Sequence, residues 1–405
     1  TDGHTLTSTR TIAPGGRVLA SAISFDGTTS NWQYTYDDAR RLASASLSAG
    51  LTAARSWAYT YDTNSNRTSQ TVDGVRSTYT YDANDRLVSS TDPAVGTLEY
   101  DALGDVTKLG ADTFTYDANR SIVRATDGTT TVDYVRDATG SIVEKTTTSP
   151  TGTQVTRYAI GGLTLDADGR PLVQDATLPG GVTYTHPVGA AGTATYGLAD
   201  LAGNRLATTS DAGAMVGTVQ LYEPFGQPLT TPVAAAPGQL DLTWLATTGN
   251  ESQQLKVPYQ LMGARVYVPA IGRFLQVDPQ PGGSVNAYDF VNQDPVNLRD
   301  ANGQSLTDWI ATIVVAVVSV ALTPFTGGGS ILAGMATGLA IGAIGYALDW
   351  GIRSAIDGQV RSFDVAQFCI AAGVGAAFGA FGGWLGKFRR SPAEPMAEGS
   401  EVAGG

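Results

Sequence analysis

The sequence is poor in the residue types on which many active sites depend. Its 405 residues include one cysteine, Cys369, and two histidines, His4 and His186. A single cysteine excludes an internal disulfide framework. Two histidines far apart in sequence argue against a zinc site and against a serine or cysteine triad. The sequence also lacks a phosphate-binding loop, and we expect neither a metal nor a cofactor.

Charged residues are scarce as well, and acids outnumber bases. They make up 15% of the chain, and 25 Lys and Arg against 37 Asp and Glu give a net charge of −12. This charge argues against a nucleic-acid partner. The first residues, TDGHTLTSTRTIAPGG, have neither the basic region nor the apolar run of a signal peptide. We therefore expect the chain to be part of a larger protein.

What the sequence does contain is an internal repeat built on a Tyr-Asp pair. The tyrosines of five pairs lie 25, 20, 19 and 16 residues apart, at Tyr36, Tyr61, Tyr81, Tyr100 and Tyr116. A degenerate sixth copy begins at Val132. In each copy the alternation Tyr-Thr-Tyr favours a half-buried strand, Asp favours a turn, and a second short strand follows. Each copy therefore predicts a β-hairpin, and we expect the hairpins to pair edge to edge into one long sheet.

The copies, over roughly residues 30–150, resemble the YD repeats of the Rhs family. That family includes bacterial Rhs and wall-associated toxins, the C components of insecticidal toxin complexes, and the animal teneurins. The resemblance implies a mainly β fold in which YD-repeat hairpins form a spiralling β-shell, here over residues 1–260. A C-terminal α-helical apolar segment is expected to follow it.

A second group of motifs resembles the Rhs-associated core. An Asp-Leu-Ala-Gly turn at 200–203 and Tyr-Glu-Pro-Phe-Gly at 222–226 precede it. We call residues 261–304 the core segment. Its residues that match the family signature are Gly263, Ala264, Arg265, Tyr267, Gly272, Arg273, Phe274, Asp278, Pro279, Asn286, Tyr288, Asn292, Pro295, Asp300 and Gly303.

The resemblance implies a chemical role for aspartates of the core segment. In many family members this region is an aspartyl autoprotease that frees the C-terminal cargo inside the shell. Two carboxylates held close share one proton, so that one activates water and the other acts on the peptide carbonyl. The predicted acids are Asp278, Asp289 and Asp300, and Arg273 is predicted to steady a carboxylate. Asp294 is interpreted as a turn residue.

The predicted scissile bond joins Gln304 to Ser305. The sequence departs from the family here, because Ala301 replaces a proline and Gln304 replaces a hydrophobic residue. Two interpretations stay open. The core segment is either an active intramolecular aspartyl autoprotease or an inert plug in which each aspartate caps a turn.

The last hundred residues differ abruptly in composition. Apolar, nearly uncharged runs occupy 309–325, 331–350 and 365–386, with lengths of 17, 20 and 22 residues. These lengths reach or approach a bilayer span. We predict glycine-rich apolar helices over 305–390, acting as a pretoxin or membrane-active segment with membrane contact by 309–386, and a disordered tail at 391–405. A buried helical hairpin inside the shell is the alternative.

The sequence therefore predicts the C-terminal part of an Rhs/YD-repeat polymorphic toxin whose shell encloses and delivers its C-terminal cargo. The implied partners are that cargo, an immunity protein and secretion or delivery machinery. The implied location is secreted or on the bacterial cell surface, with membrane insertion through the C-terminal segment. Two alternatives remain: a non-enzymatic adhesion or interaction protein, and a pore-forming tail effector.

Overall fold

The chain divides into two compact units, Thr1–Asp308 and Trp309–Gly405. A computed structural model describes residues 4–93, 95–178, 181–188, 193–280, 286–300, 302–303 and 307–308, all in the first unit. The predicted apolar helices at 305–390 and the tail at 391–405 lie outside the described residues, apart from a short strand at Thr307–Asp308. No helix among the described residues is long and apolar enough to cross a membrane.

The first sheet is an antiparallel meander of eight strands that pair in sequence order. Its strands are β1 (Leu6–Ile12), β2 (Val18–Phe25), β3 (Thr28–Tyr36), β4 (Leu42–Leu47), β5 (Arg55–Tyr61), β6 (Arg67–Val72), β7 (Val75–Tyr81) and β8 (Leu87–Ser90).

The second sheet continues the same pattern with 13 strands. They are β9 (Leu98–Tyr100), β10 (Val106–Leu109), β11 (Asp112–Tyr116), β12 (Ile122–Thr126), β13 (Thr131–Arg136), β14 (Ile142–Ser149), β15 (Gly152–Tyr158), β16 (Leu163–Leu165), β17 (Pro171–Leu178), β18 (Val182–Pro187), β19 (Thr195–Ala199), β20 (Arg205–Ser210) and β21 (Met215–Val216).

Shorter elements follow the second sheet. A four-stranded sheet contains β22 (Glu251–Gln253), β23 (Tyr259–Met262), β24 (Arg265–Val268) and β25 (Arg273–Phe274), and β26 (Leu298–Arg299) pairs with β27 (Thr307–Asp308). Two 3₁₀ helices span Ala246–Thr248 and Val291–Gln293.

The expectation of a single long sheet is corrected by a break between β8 and β9. Pro93 has no N–H for a sheet ladder. Val95 is fully buried, and its N–H donates to the Asp92 carbonyl at 3.1 Å. Gly96 has φ +63°, and a Cβ there would lie 2.7 Å from the Cα of Gly110. The chain turns into the core at this point, so the ladder is interrupted.

The hairpin turns form as the Tyr-Asp repeat predicts. Asp62 Oδ1 accepts hydrogen bonds from the N–H groups of Asn64 and Asn66, both at 2.9 Å. This bond pair closes the turn after the first strand of the hairpin. The same pair of bonds recurs at Asp82, Asp101, Asp117, Asp137, Asp166 and Asp200.

The tyrosine of each pair joins one hairpin to the hairpin before it. We call these residues the tyrosine ladder. Their hydroxyls donate to backbone carbonyls, in the pairs Tyr36 to Val18, Tyr61 to Leu42, Tyr81 to Arg67, Tyr100 to Leu87 and Tyr116 to Val106, over 2.6 to 3.1 Å. The repeat therefore sets the register between hairpins as well as within them.

The core segment, together with Tyr259 just before it, lies against the buried faces of these strands. Phe114 of the second sheet packs edge-on against Tyr259, with ring centroids 5.8 Å apart, in a cluster that also includes Val266 and Leu275. A second cluster contains Trp244, Tyr267, Phe274 and Phe290. Burial of so many large apolar side chains fixes the core segment in the interior of the unit.

Candidate active site in the core segment

The site is organised around Arg265, the first residue of β24. Its Nη2 donates to Asp300 Oδ2 at 2.9 Å and lies 3.2 Å from Asp278 Oδ2. The guanidinium stacks on the ring of Phe274, 3.7 Å from its centroid. The Arg265, Asp278 and Asp300 side chains are 1%, 6% and 3% exposed. Two predicted acids therefore share one buried guanidinium nitrogen.

The third predicted acid, Asp289, reaches the same region through backbone pairing. The Asp278 N–H donates to the Ala287 carbonyl at 2.8 Å, and the Phe274 N–H donates to the Tyr288 carbonyl at 3.0 Å. Asp289 itself forms an antiparallel bridge with Arg273 and is fully buried. The chain around 286–289 thus runs alongside 273–278, which brings Asp289 towards the other two acids.

The pKa of Arg265 is affected by the charges of all three acids. Burial lowers the pKa of Arg265, while the charges of Asp278, Asp300 and Asp289 act in the opposite direction. One guanidinium against three carboxyl groups leaves excess negative charge if every acid is ionised. Burial penalises unbalanced charge, so the guanidinium and the three carboxyl groups are electrostatically coupled.

The chain just before the predicted scissile bond is held against Arg265. Arg265 Nε donates to the Gly303 carbonyl at 2.5 Å, and the Ala264 N–H donates to the Asn302 carbonyl at 3.0 Å. Gly263 has φ +55°, and a Cβ there would lie 2.5 Å from the Asn302 oxygen. Only a glycine permits this approach. The predicted cleavage residues themselves, Gln304 and Ser305, lie outside the described residues.

Arg273 was predicted to steady a carboxylate, and the structure places its guanidinium elsewhere. Its Nη1 donates to Asn66 Oδ1 at 2.8 Å, and its Nη2 donates to the Asp85 carbonyl at 2.6 Å. The guanidinium lies over the rings of Tyr81 and Tyr288, 4.8 and 5.3 Å from their centroids. Arg265 makes the carboxylate contacts that the sequence analysis assigned to Arg273.

The position of Arg273 completes a pattern in the tyrosine ladder. Arg41 lies over the ring of Tyr61, and Arg86 lies over the ring of Tyr100. Each arginine belongs to the preceding hairpin, where it follows the turn aspartate by four residues. At Tyr81 the corresponding residue is Asn66, whose side chain is shorter. Arg273 of the core segment takes the place over that ring. It therefore anchors the core segment at the turns of two neighbouring hairpins.

Asp294 lies in a turn, as interpreted from the sequence. Its carbonyl accepts from the N–H of Leu298 at 3.0 Å, and its Oδ1 accepts from Asn297 Nδ2 at 2.8 Å. Its Oδ2 lies 3.6 Å from Arg17 Nη2. Asp294 thus ties the core segment to the turn between β1 and β2.

A cavity of about 840 Å³ opens beside the acids. Its lining includes Arg120, Glu251, Arg265, Gln276, Pro279 and Asn302. Sequence reasoning did not find Gln276 or the role of Arg265. The only signal was the presence of Arg265 in the family signature, which gave no partner for it. Within the described ranges, no group of three or more His, Cys, Asp or Glu side chains is placed to hold a metal ion.

Part of the first unit is similar to a known protein family. Residues 26–151 match the family described as teneurin YD-shell. This stretch of the chain is therefore similar to the YD-repeat shell family. The match covers β3 to β14 and the turns that the Tyr-Asp pairs form, so the YD-shell fold is the part of the resemblance that is established. No curated protein matches the chain.

Several solved structures are similar to this chain. A Photorhabdus luminescens Tc holotoxin pore with a TccC3 mutation is 16% identical with a TM-score of 0.39, and the match covers 74% of this chain and 20% of that chain. TcdB2-TccC3 is 16% identical with a TM-score of 0.37, covering 73% and 21%. TcdB2-TccC3-Cdc42 is 15% identical with a TM-score of 0.37, covering 73% and 20%. The chain spans about a fifth of the length of these structures.

Proposed function

We propose that the chain is the C-terminal part of a YD-repeat toxin whose core segment cuts its own chain between Gln304 and Ser305. The observation that carries the proposal is the triple contact of Arg265. It touches Asp278, Asp300 and the Gly303 carbonyl, so acids and the residue before Gln304 meet at one guanidinium.

The proposed chemistry uses only carboxyl groups and water. An ionised carboxylate takes a proton from water, and the water oxygen attacks the peptide carbonyl carbon. A protonated carboxyl then supplies the proton that the leaving nitrogen needs. A buried cluster with more acids than bases favours having both forms present together. Arg265 holds Asp278 and Asp300 in place and keeps the preceding residue, Gly303, within reach.

The biological part of the proposal concerns the YD-shell. The shell encloses the C-terminal cargo, residues 305–405, which self-cleavage detaches. A secreted or cell-surface location, an immunity protein and delivery machinery belong to the same proposal. The burial of the core segment against both sheets supports it, because the described residues of that segment would stay packed there after a cut between Gln304 and Ser305.

Self-cleavage is tested by expressing the 405-residue chain and identifying its fragments by denaturing gel and mass spectrometry. We expect fragments of residues 1–304 and 305–405, the second about a quarter of the chain. Asp278→Asn and Asp300→Asn remain intact because each removes an acid at Arg265.

Asp294→Asn is the matched control. Asp294 is a buried aspartate of the same segment, but it contacts Arg17 and Asn297. We expect this variant to cleave as the wild type does. An intact wild-type chain, or cleavage that persists in Asp278→Asn, would contradict the proposal and favour the inert plug. Thermal unfolding of each variant separates a lost reaction from a lost fold.

A further inference from the structure

Gln276 lines the cavity beside the acids and carries a buried hydrogen-bond donor. Its side chain is 2% exposed, and its Oε1 accepts from the Val266 N–H at 2.8 Å. Because a backbone N–H requires an acceptor, this bond fixes which end of the amide is oxygen. Nε2 therefore points away from Val266, and it has no hydrogen-bond partner among the described residues.

Arg265 contributes a second donor of the same kind. Its Nε and Nη2 are occupied by Gly303, Asp278 and Asp300, whereas Nη1 is buried without a partner in the described part of the chain. Arg265 and Gln276 line the same cavity, and Asn302 lines it too. A buried donor left unsatisfied costs about 1–3 kcal/mol. Two such donors at one cavity call for an explanation in terms of a ligand.

We propose that Gln276 is a catalytic residue that donates, together with Arg265 Nη1, to the carbonyl oxygen of the bond that is cut. This inference rests on the proposed self-cleavage. It adds a residue and a role that the acids do not supply. When the water oxygen bonds to the carbonyl carbon, its proton passes to a carboxylate and the carbonyl π electrons move onto oxygen. They return as the C–N bond breaks and the amide nitrogen takes a proton from a carboxyl group.

The surrounding charge identifies the ligand as a carbonyl oxygen. Asp278 and Asp300 lie at the same guanidinium, so a permanent anion such as phosphate would be repelled by them. A peptide oxygen is neutral when it binds and becomes negative only during attack. Donors fixed in advance stabilise that charge without reorganisation. The bond from Val266 supplies this preorganisation for Gln276.

The test is Gln276→Glu, with self-cleavage followed over time after a pulse of label in cell-free translation. The introduced carboxylate keeps an acceptor for the Val266 N–H and loses the donor. We expect cleavage at neutral pH to slow by about 100- to 1,000-fold, the effect of removing one oxyanion donor. Gln253→Glu is the control, since Gln253 is also buried with an unpartnered Nε2 in the described structure and does not line the cavity. It should cleave at the wild-type rate.

A pH profile separates a donor from a merely structural residue. Uncut Gln276→Glu chain is purified and moved to lower pH, where the introduced carboxyl becomes protonated and can donate again. We expect its cleavage to accelerate relative to wild type as pH falls. If Gln276→Glu cleaves at the wild-type rate at every pH, the proposed role of Gln276 is overturned but the proposed self-cleavage is not. Loss of cleavage at every pH with a lowered unfolding temperature also overturns that role. An uncut wild-type chain overturns the proposed function itself.

Discussion

Gly263→Ala tests whether the contact between the chain before the cut and β24 is needed for reaction. Gly263 lies in the turn between β23 and β24, at φ +55°. An alanine Cβ there would lie 2.5 Å from the Asn302 oxygen, and 3.0 and 3.1 Å from the Asn302 carbonyl carbon and Cα. All three atoms are backbone, so residues 302–303 must move away and the Gly303 carbonyl must leave Arg265 Nε.

Two effects set the size of the destabilisation. A left-handed conformation costs an L-residue about 1–2 kcal/mol. Forcing a methyl group into a filled site adds roughly 1–3 kcal/mol. The total is about 2–5 kcal/mol. Gly128→Ala carries only the first effect, because Gly128 has φ +86° and a Cβ there would meet nothing within 4 Å. The difference between the variants isolates the contact with Asn302.

Chemical denaturation monitored by tryptophan fluorescence measures the stability of both variants, and the gel measures their cleavage. We expect Gly128→Ala to cleave as wild type with a small loss of stability. Gly263→Ala should lose more stability and cleave slowly or not at all, even at temperatures where it remains folded. Equal cleavage by the two variants would refute the reasoning, because it would show that the site works with residues 302–303 displaced.

Two further predictions concern the anchoring of the core segment and its pH response. Arg273→Ala should lower the unfolding free energy by about 1–3 kcal/mol in chemical denaturation, because it leaves Asn66 Oδ1 and the Asp85 carbonyl without this charged donor. Arg86→Ala, which removes a partly exposed ion pair with Asp82, should lower it by clearly less. Equal losses would contradict the anchoring role. Burial raises the pKa of Asp241 from 3.8 to about 6, so between these pH values the folded chain holds a proton that the unfolded chain has lost. The stability contributed by the protonated Asp241 should therefore fall as pH rises from about 4 to 6. In thermal unfolding across this range, the wild type should lose stability relative to Asp241→Asn as pH rises; a constant difference between the two would contradict the assignment.

Features that depend on neighbouring residues could be predicted from the sequence. The alternation Tyr-Thr-Tyr and the aspartate after it specify a strand and its turn within a few residues, and both form as predicted. The same local information gave no reason for the break between β8 and β9. That break depends on the packing of Val95 and on the approach of Gly96 to Gly110, which only the folded chain reveals.

The acids of the site could be predicted from the sequence, but the arginine that contacts them could not. The signature contains both Arg265 and Arg273, and each could have reached a carboxylate. Asn66 lies 207 residues before Arg273, and its short side chain leaves room for the Arg273 guanidinium over the ring of Tyr81. Arg273 is therefore placed there, and Arg265 contacts the carboxylates. A pairing across such a distance depends on how the hairpins register with one another. No spacing within the core segment encodes it.

Arg265 contacts the acids and Arg273 contacts the hairpin turns, so the two arginines connect the proposed cut with folding of the sheets. The contacts of Arg265 with Phe274, Asp278, Asp300 and Gly303 all lie within the core segment. The Arg265, Asp278 and Asp300 side chains are buried, and apolar residues of the core segment pack against strands of both sheets. Arg273 anchors the core segment to the turns of two hairpins. We therefore expect the proposed cut to follow the packing of the hairpins against the core segment.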